Sequence, residues 1–139
     1  MAKATSKWVV CSYTTRKLIR AKEVQYNIDE YYPEINFKEP FDKVDFDDNQ
    51  VAIEANGIQT NILDLDHNGH INNTRYCDFL FIAIERIQNE NVKKFQIDYL
   101  HELKANATLD IKYYFVDKVC YAKGISNNLD CFIAKIEFE

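Results

Sequence analysis

Over residues 92–138 apolar and polar positions alternate with a period of two. Val92 to Leu100 sets Phe95, Ile97 and Tyr99 on one face, and Ala107 to Val116 does the same with Leu109, Ile111, Tyr113 and Phe115. This is the spacing of half-buried strands. Val119 to Ile125 and Cys131 to Phe138 add two more, parted by the polar turn Ser126-Asn127-Asn128. Ahead of them the pattern changes, because Thr74 to Ile87 places Tyr76, Cys77, Phe79, Leu80, Phe81, Ile82, Ala83, Ile84 and Ile87 almost all round a helix. Such a helix is expected to be buried. Val51 to Leu63 reads as two β-type runs around Asn56-Gly57, the strongest short-range hairpin signal. Residues 7–20 read as a strand with a polar turn near Ser12 to Thr15. Residues 21–49 hold both prolines, Pro33 and Pro40, among acidic and Asn residues without sustained period, and read as a connector. One apolar helix and a run of antiparallel strands predict an α+β fold, a sheet curled around a central helix.

Composition narrows the function classes. A chain of 139 residues, 47% of them hydrophobic, is long enough for one main domain with a core of its own. A net charge of −5 argues against a nucleic-acid binder, which needs a basic surface to meet phosphates. Two basic groups, Arg16, Lys17, Arg20 and Lys22, and Lys93 with Lys94, read first as solvated faces. The other reading is a contact for an acidic carrier protein or a phosphorylated cofactor. Cys11, Cys77, Cys120 and Cys131 form no CxxC pair and show no metal-ligand spacing, and the opening Met-Ala-Lys-Ala-Thr has no apolar signal region. Both point to the reducing cytoplasm. No apolar run approaches the ~20 residues of a membrane span.

The chemistry is concentrated in one loop. Asp64-Leu65-Asp66-His67-Asn68-Gly69-His70-Ile71-Asn72-Asn73 holds carboxylates, imidazoles and amides directly before the apolar helix. Backbone N–H groups at a helix start carry partial positive charge and suit an oxyanion formed when a carbonyl is attacked. Asp66, Asn68 and His70 alternate, and point the same way if the stretch stays extended. Two rival readings stand beside this one. The run Asp64-x-Asp66-x-Asn68-Gly69-x-Ile71 matches the start of an EF-hand calcium loop, but Arg75 falls where a bidentate Glu is required, and β-like residues 58–63 precede it where a helix belongs. No metal is therefore assigned. The Asp and Asn side chains also suit simple capping and turning.

Resemblance weighs between them. Asp66-His67-Asn68-Gly69-His70-Ile71-Asn72-Asn73-Thr74-Arg75-Tyr76 is similar to the acyl-acyl carrier protein (ACP) thioesterase signature Asp-x-Asn-x-His-[Val/Ile]-Asn-Asn-x-x-Tyr. Ile97-Asp98-Tyr99-Leu100-His101-Glu102 resembles that family's strand ending in a catalytic acid, and places Glu102 on the acid, 32 residues after His70. Leu103 stands where many plant members have Cys, which argues against a Cys–His–Asn mechanism. Ala4 to Val10, with Thr15-Arg16-Lys17, looks like the last strand of a preceding domain of the same kind.

The resemblance implies a hot-dog fold, a curved antiparallel sheet wrapped around one long apolar helix. It implies three segments: the end of a preceding hot-dog domain at 1–20, a linker at 21–49 and a hot-dog domain at 50–139. Most of the N-terminal partner domain is expected to be missing. The implied activity is hydrolysis of fatty acyl thioesters, acyl-ACP before acyl-CoA, at Asp66, Asn68, His70 and Glu102. Asp66 or Glu102 acts as base, His70 aids proton transfer and Asn68 binds carbonyl or water. No cofactor is implied. The alternative is a non-catalytic acyl-binding or dimerisation module. A helix apolar all round needs more cover than one sheet supplies, so a homodimer, or docking of residues 1–20, is expected.

Overall fold

The structure, a computed structural model, describes residues 3–7, 9–12, 14–15, 17–20, 23–24 and 42–139. The chain divides into two compact units, Met1–Asp42 and Lys43–Glu139. In the first, β1 (Val10–Cys11) pairs antiparallel with β2 (Leu18–Ile19), Val10 opposite Ile19. The expected single strand with a turn is thus a short ribbon, closed by Ser12 N–H donating to the Lys17 carbonyl at 2.8 Å. Trp8, Arg16, Lys22 and both prolines of the expected connector lie outside the described residues.

The second unit runs β3 (Ile53–Gln59), α1 (Asn73–Ala83), α2 (Glu85–Asn89), β4 (Val92–Tyr99), β5 (Thr108–Val116), β6 (Val119–Ser126) and β7 (Leu129–Phe138). Its strands form one antiparallel sheet in the order β3-β5-β6-β7-β4. A tight turn explains the hairpin of β6 and β7. Asn127 and Asn128 between β6 and β7 both have positive φ, 51° and 60°, as a two-residue turn matched to strand twist demands.

The period-two pattern sets Leu109, Ile111, Cys120, Ala122, Phe132, Ala134 and Ile136 on one buried face. There they form a single core with Tyr76, Phe79 and Leu80 of α1 and with Ile84 and Ile87. The curved sheet around a helix is the hot-dog fold. Gly124 makes the close packing feasible, since a Cβ there would lie 2.1 Å from Phe132 Cε1. The Phe132 ring lies on the bare strand instead and meets Tyr76 edge-on, centroids 5.5 Å apart.

Residues 43–49, part of the expected connector, lie along the sheet's other face. Val44 N–H donates to Asp98 Oδ2 at 2.9 Å, Phe46 packs edge-on against Tyr114, and Lys123 Nζ pairs with Asp48 at 2.5 Å.

Two expectations need correction. Asn56-Gly57 is no hairpin turn: β3 is one strand, and its register against β5 shifts between Ala55 and Ile58. The pair forms a bulge in which Gly57, at φ +80°, donates its N–H to Asp110 Oδ1 at 2.9 Å. The helix is also shorter than the apolar run. It stops at Ala83, Ile84 turns extended at φ −119° to fill the core, and Gln88 Nε2 donates to the Phe81 carbonyl left open at the break, 2.6 Å away. Nor is it buried all round, because Phe81 and Ile82 are 46% and 66% exposed. Among the described residues no helix is long and apolar enough to cross a membrane.

Candidate active site

The loop before α1 does not stay extended. Leu65 and Ile71 pair as an antiparallel bridge, Asp66 N–H donates to the His70 carbonyl at 2.7 Å, and Asn72 N–H donates to the Asp64 carbonyl at 2.8 Å. The segment therefore doubles back on itself, and Asp66, Asn68 and His70 do not share one face of a strand.

Asp66 is engaged with this backbone. Its Oδ1 accepts from Asn68 N–H at 2.8 Å and from His70 N–H at 3.1 Å. The His70 N–H, first among the causes, holds the Asp66 carboxyl below the usual carboxylate value. Asn72, by contrast, caps the helix, its Oδ1 accepting from Thr74 N–H at 3.0 Å and from the Thr74 hydroxyl at 2.9 Å.

The strongest anchor of the loop is a pair that motif reading missed. Asp64 is buried, its Oδ1 accepts from Arg75 Nε and Nη2, both at 2.7 Å, and its Oδ2 accepts from Asn61 N–H at 2.8 Å. The cation of this loop is thus Arg75, at the position where a calcium loop would place a carboxylate. Two signals for it were present: the Asn61-x-x-Asp64 spacing of a capping box, which Asn61 and Asp64 do form, and the Arg at the calcium loop's last position. Among the described residues, no group of three or more His, Cys, Asp and Glu stands ready to hold a metal.

His70 and Glu102 do meet. His70 Nε2 lies 3.3 Å from Glu102 Oε1, both side chains partly exposed, while the other Glu102 oxygen pairs with Lys104. The pair sits on an open cleft of about 200 Å³ lined also by Ile71, Asn73, Tyr76, Tyr99, Leu100 and His101. Asp66 and Asn68 are not among its walls. Burial pushes the Tyr99 hydroxyl up to about 12, and Tyr99 Oη donates to the Asn73 carbonyl at 3.1 Å. Tyr99 is therefore a neutral donor that ties the β4 wall to the helix start. Sulfur chemistry has no footing here. Leu103 is a core residue, and burial raises the thiols of Cys77, Cys120 and Cys131, the second to about 12.

The cleft thus sets an imidazole against a carboxylate beside the start of α1 on a hot-dog sheet. The chain belongs to the acyl-ACP thioesterase family through its C-terminal domain, whose family model matches residues 48–134. No curated protein sequence matches it. Among solved structures it is similar to an acyl-ACP thioesterase from Bacteroides thetaiotaomicron, at TM-score 0.70 and 20% identity, over 93% of this chain and 53% of that one. A 12:0-ACP thioesterase from Umbellularia californica is similar at TM-score 0.66 and 18% identity, over 93% of this chain and 52% of that one. A Thermus thermophilus thioesterase complexed with coenzyme A and Zn follows at TM-score 0.55 and 14% identity, over 61% of this chain and 75% of that one. The chain thus spans about half the length of the two acyl-ACP thioesterases.

Proposed function

We propose that the chain hydrolyses fatty acyl thioesters at the His70–Glu102 pair, acyl-ACP before acyl-CoA. The observation that carries the reading is the 3.3 Å contact between two side chains delivered by different loops to one cleft. Of the two candidate bases, Glu102 suits the role better. The Asp66 carboxylate already accepts two backbone N–H groups, which hold its pKa down, and it lies outside the cleft, whereas Glu102 lines the cleft against His70. Glu102 takes a proton from a water that attacks the thioester carbonyl. The oxyanion gathers at the N-terminus of α1, beside Asn73. The C–S bond then breaks, the thiol leaves with a proton relayed through His70, and the free fatty acid remains. Asp66 orders the loop, and Asn68, exposed at its tip and outside the cleft walls, takes no part in this step.

The cleft holds too little volume for a long acyl chain, since ligand pockets run to roughly 300–1,000 Å³. A second hot-dog domain, supplied by a homodimer or by a preceding domain of which residues 1–20 are the end, completes the chain-binding pocket in this reading. The exposed Phe81 and Ile82 on α1 support a covering partner. Purified protein given acyl-ACP and acyl-CoA of varied length should release thiol. Binding of the acyl chain without release would favour the acyl-binding module, and sedimentation as a monomer would remove the homodimer.

A further inference from the structure

We infer that His101 is a positioning residue that holds Glu102 against His70. The inference rests on the reading of that pair as the reacting groups. Glu102 lies on the loop after β4 and is fixed on both sides. On the far side, Leu103 is fully buried and its N–H donates to the Tyr76 hydroxyl at 3.3 Å, which ties the loop to α1. On the near side the tie runs to β7: Leu100 and His101 N–H both donate to the Cys131 carbonyl, at 2.8 and 3.2 Å, and the His101 ring reaches the neighbouring Asp130 carbonyl through Nδ1 at 2.8 Å.

A carbonyl oxygen only accepts, so Nδ1 must carry the hydrogen. The bond clamps the ring to β7. It fixes the ring as a wall of the cleft, with Nε2 lacking a partner among the described residues. Without the side-chain bond, the near side of the loop would keep only its backbone contacts to Cys131, and the Glu102 carboxylate would be drawn toward its other partner, Lys104.

Two substitutions separate the clamp from a direct substrate contact. His101→Asn retains an N–H donor near the place of Nδ1 and deletes Nε2, whereas His101→Ala deletes both. Imidazole ¹⁵N resonances of His70 at one fixed pH report the Glu102 contact without any need for activity, and Glu102→Gln defines how far they move when it is lost. His101→Ala is expected to move the His70 resonances in the Glu102→Gln direction and to lower kcat about tenfold with little change in KM, as loss of a placed group does. His101→Asn is expected to restore both. Unmoved His70 resonances in a folded His101→Ala protein would overturn the inference. So would a His101→Asn protein as defective as His101→Ala, since that result assigns the role to Nε2. If the wild-type chain releases no thiol from any substrate, the hydrolase reading fails alone, and the His70 resonances still decide the clamp.

Discussion

The loop before α1 and the loop after β4 each bring a carboxylate to His70, one to its backbone N–H and the other to its imidazole, and they hold the acid in opposite ways. In the first, Asp66 turns back on its own backbone and accepts from the N–H groups of Asn68 and His70. In the second, the residues around Glu102 do the anchoring, Leu103 in the core and His101 on β7, and one Glu102 oxygen is left to face His70. Density of polar residues is therefore a poor guide to which carboxylate lines the cleft. The crowded loop owes much of its composition to holding its own shape, while the sparse one presents its single acid.

The comparison is sharpened most by Glu102→Gln. Removal of a proton-transfer group costs about 10²–10⁴ in kcat with KM nearly unchanged, and melting should move little, because the side chain is partly exposed. His70→Ala should match it. Steady-state thiol release checks both, and a Glu102→Gln protein within tenfold of wild type would return the role of base to Asp66.

Next in size is Arg75→Met, which breaks the anchor of the first loop without touching the cleft. It leaves the Asp64 carboxylate buried without its cation. Arg75 itself is partly exposed, so a loss of about 2 kcal/mol is expected, below the range for fully buried pairs. For a domain of this size that is roughly 10 °C in melting temperature. Asp64→Asn in the Arg75→Met background should lose less than Arg75→Met alone, because no charge then remains buried. Calorimetry of the three proteins decides it, and a double variant less stable than Arg75→Met would show that the charge was not the problem.

What the sequence made legible follows from how local each signal is. The strands β4 to β7 were readable because alternation is a property of neighbours, and Asn127-Asn128 announced its turn for the same reason. Asn56-Gly57 was misread because a positive-φ glycine serves a hairpin and a bulge equally well. The choice between them lies with Asp110, which accepts the Gly57 N–H from another strand. The helix break at Ile84 carries no Pro or Gly, and only the core that Ile84 fills accounts for it. Glu102 was reached by resemblance, and nothing in its spacing pairs it with His70. His101 left no trace at all, since its partner is a main-chain carbonyl, which any residue supplies.

The smallest effect tests Asp66 through pH. Its folded pKa lies below its unfolded value because the His70 N–H stabilises the carboxylate. Below neutral pH the unfolded chain thus takes up the Asp66 proton first. The stabilisation is complete above the unfolded carboxylate value and is lost as pH falls through the folded one. Asp47 and Glu54 are lowered too, by Asn49 and by Lys112 respectively. Acid sensitivity of the wild type alone therefore does not isolate Asp66. The difference between wild type and Asp66→Asn does, because the Asn oxygen can still accept both N–H groups but carries no charge. That difference in melting temperature should be present at pH 7 and shrink toward pH 3, while turnover at pH 7 falls less than in Glu102→Gln. A constant difference would mean that the carboxylate's charge plays no part in ordering the loop. A loss of turnover as large as that of Glu102→Gln would exchange the roles of the two acids.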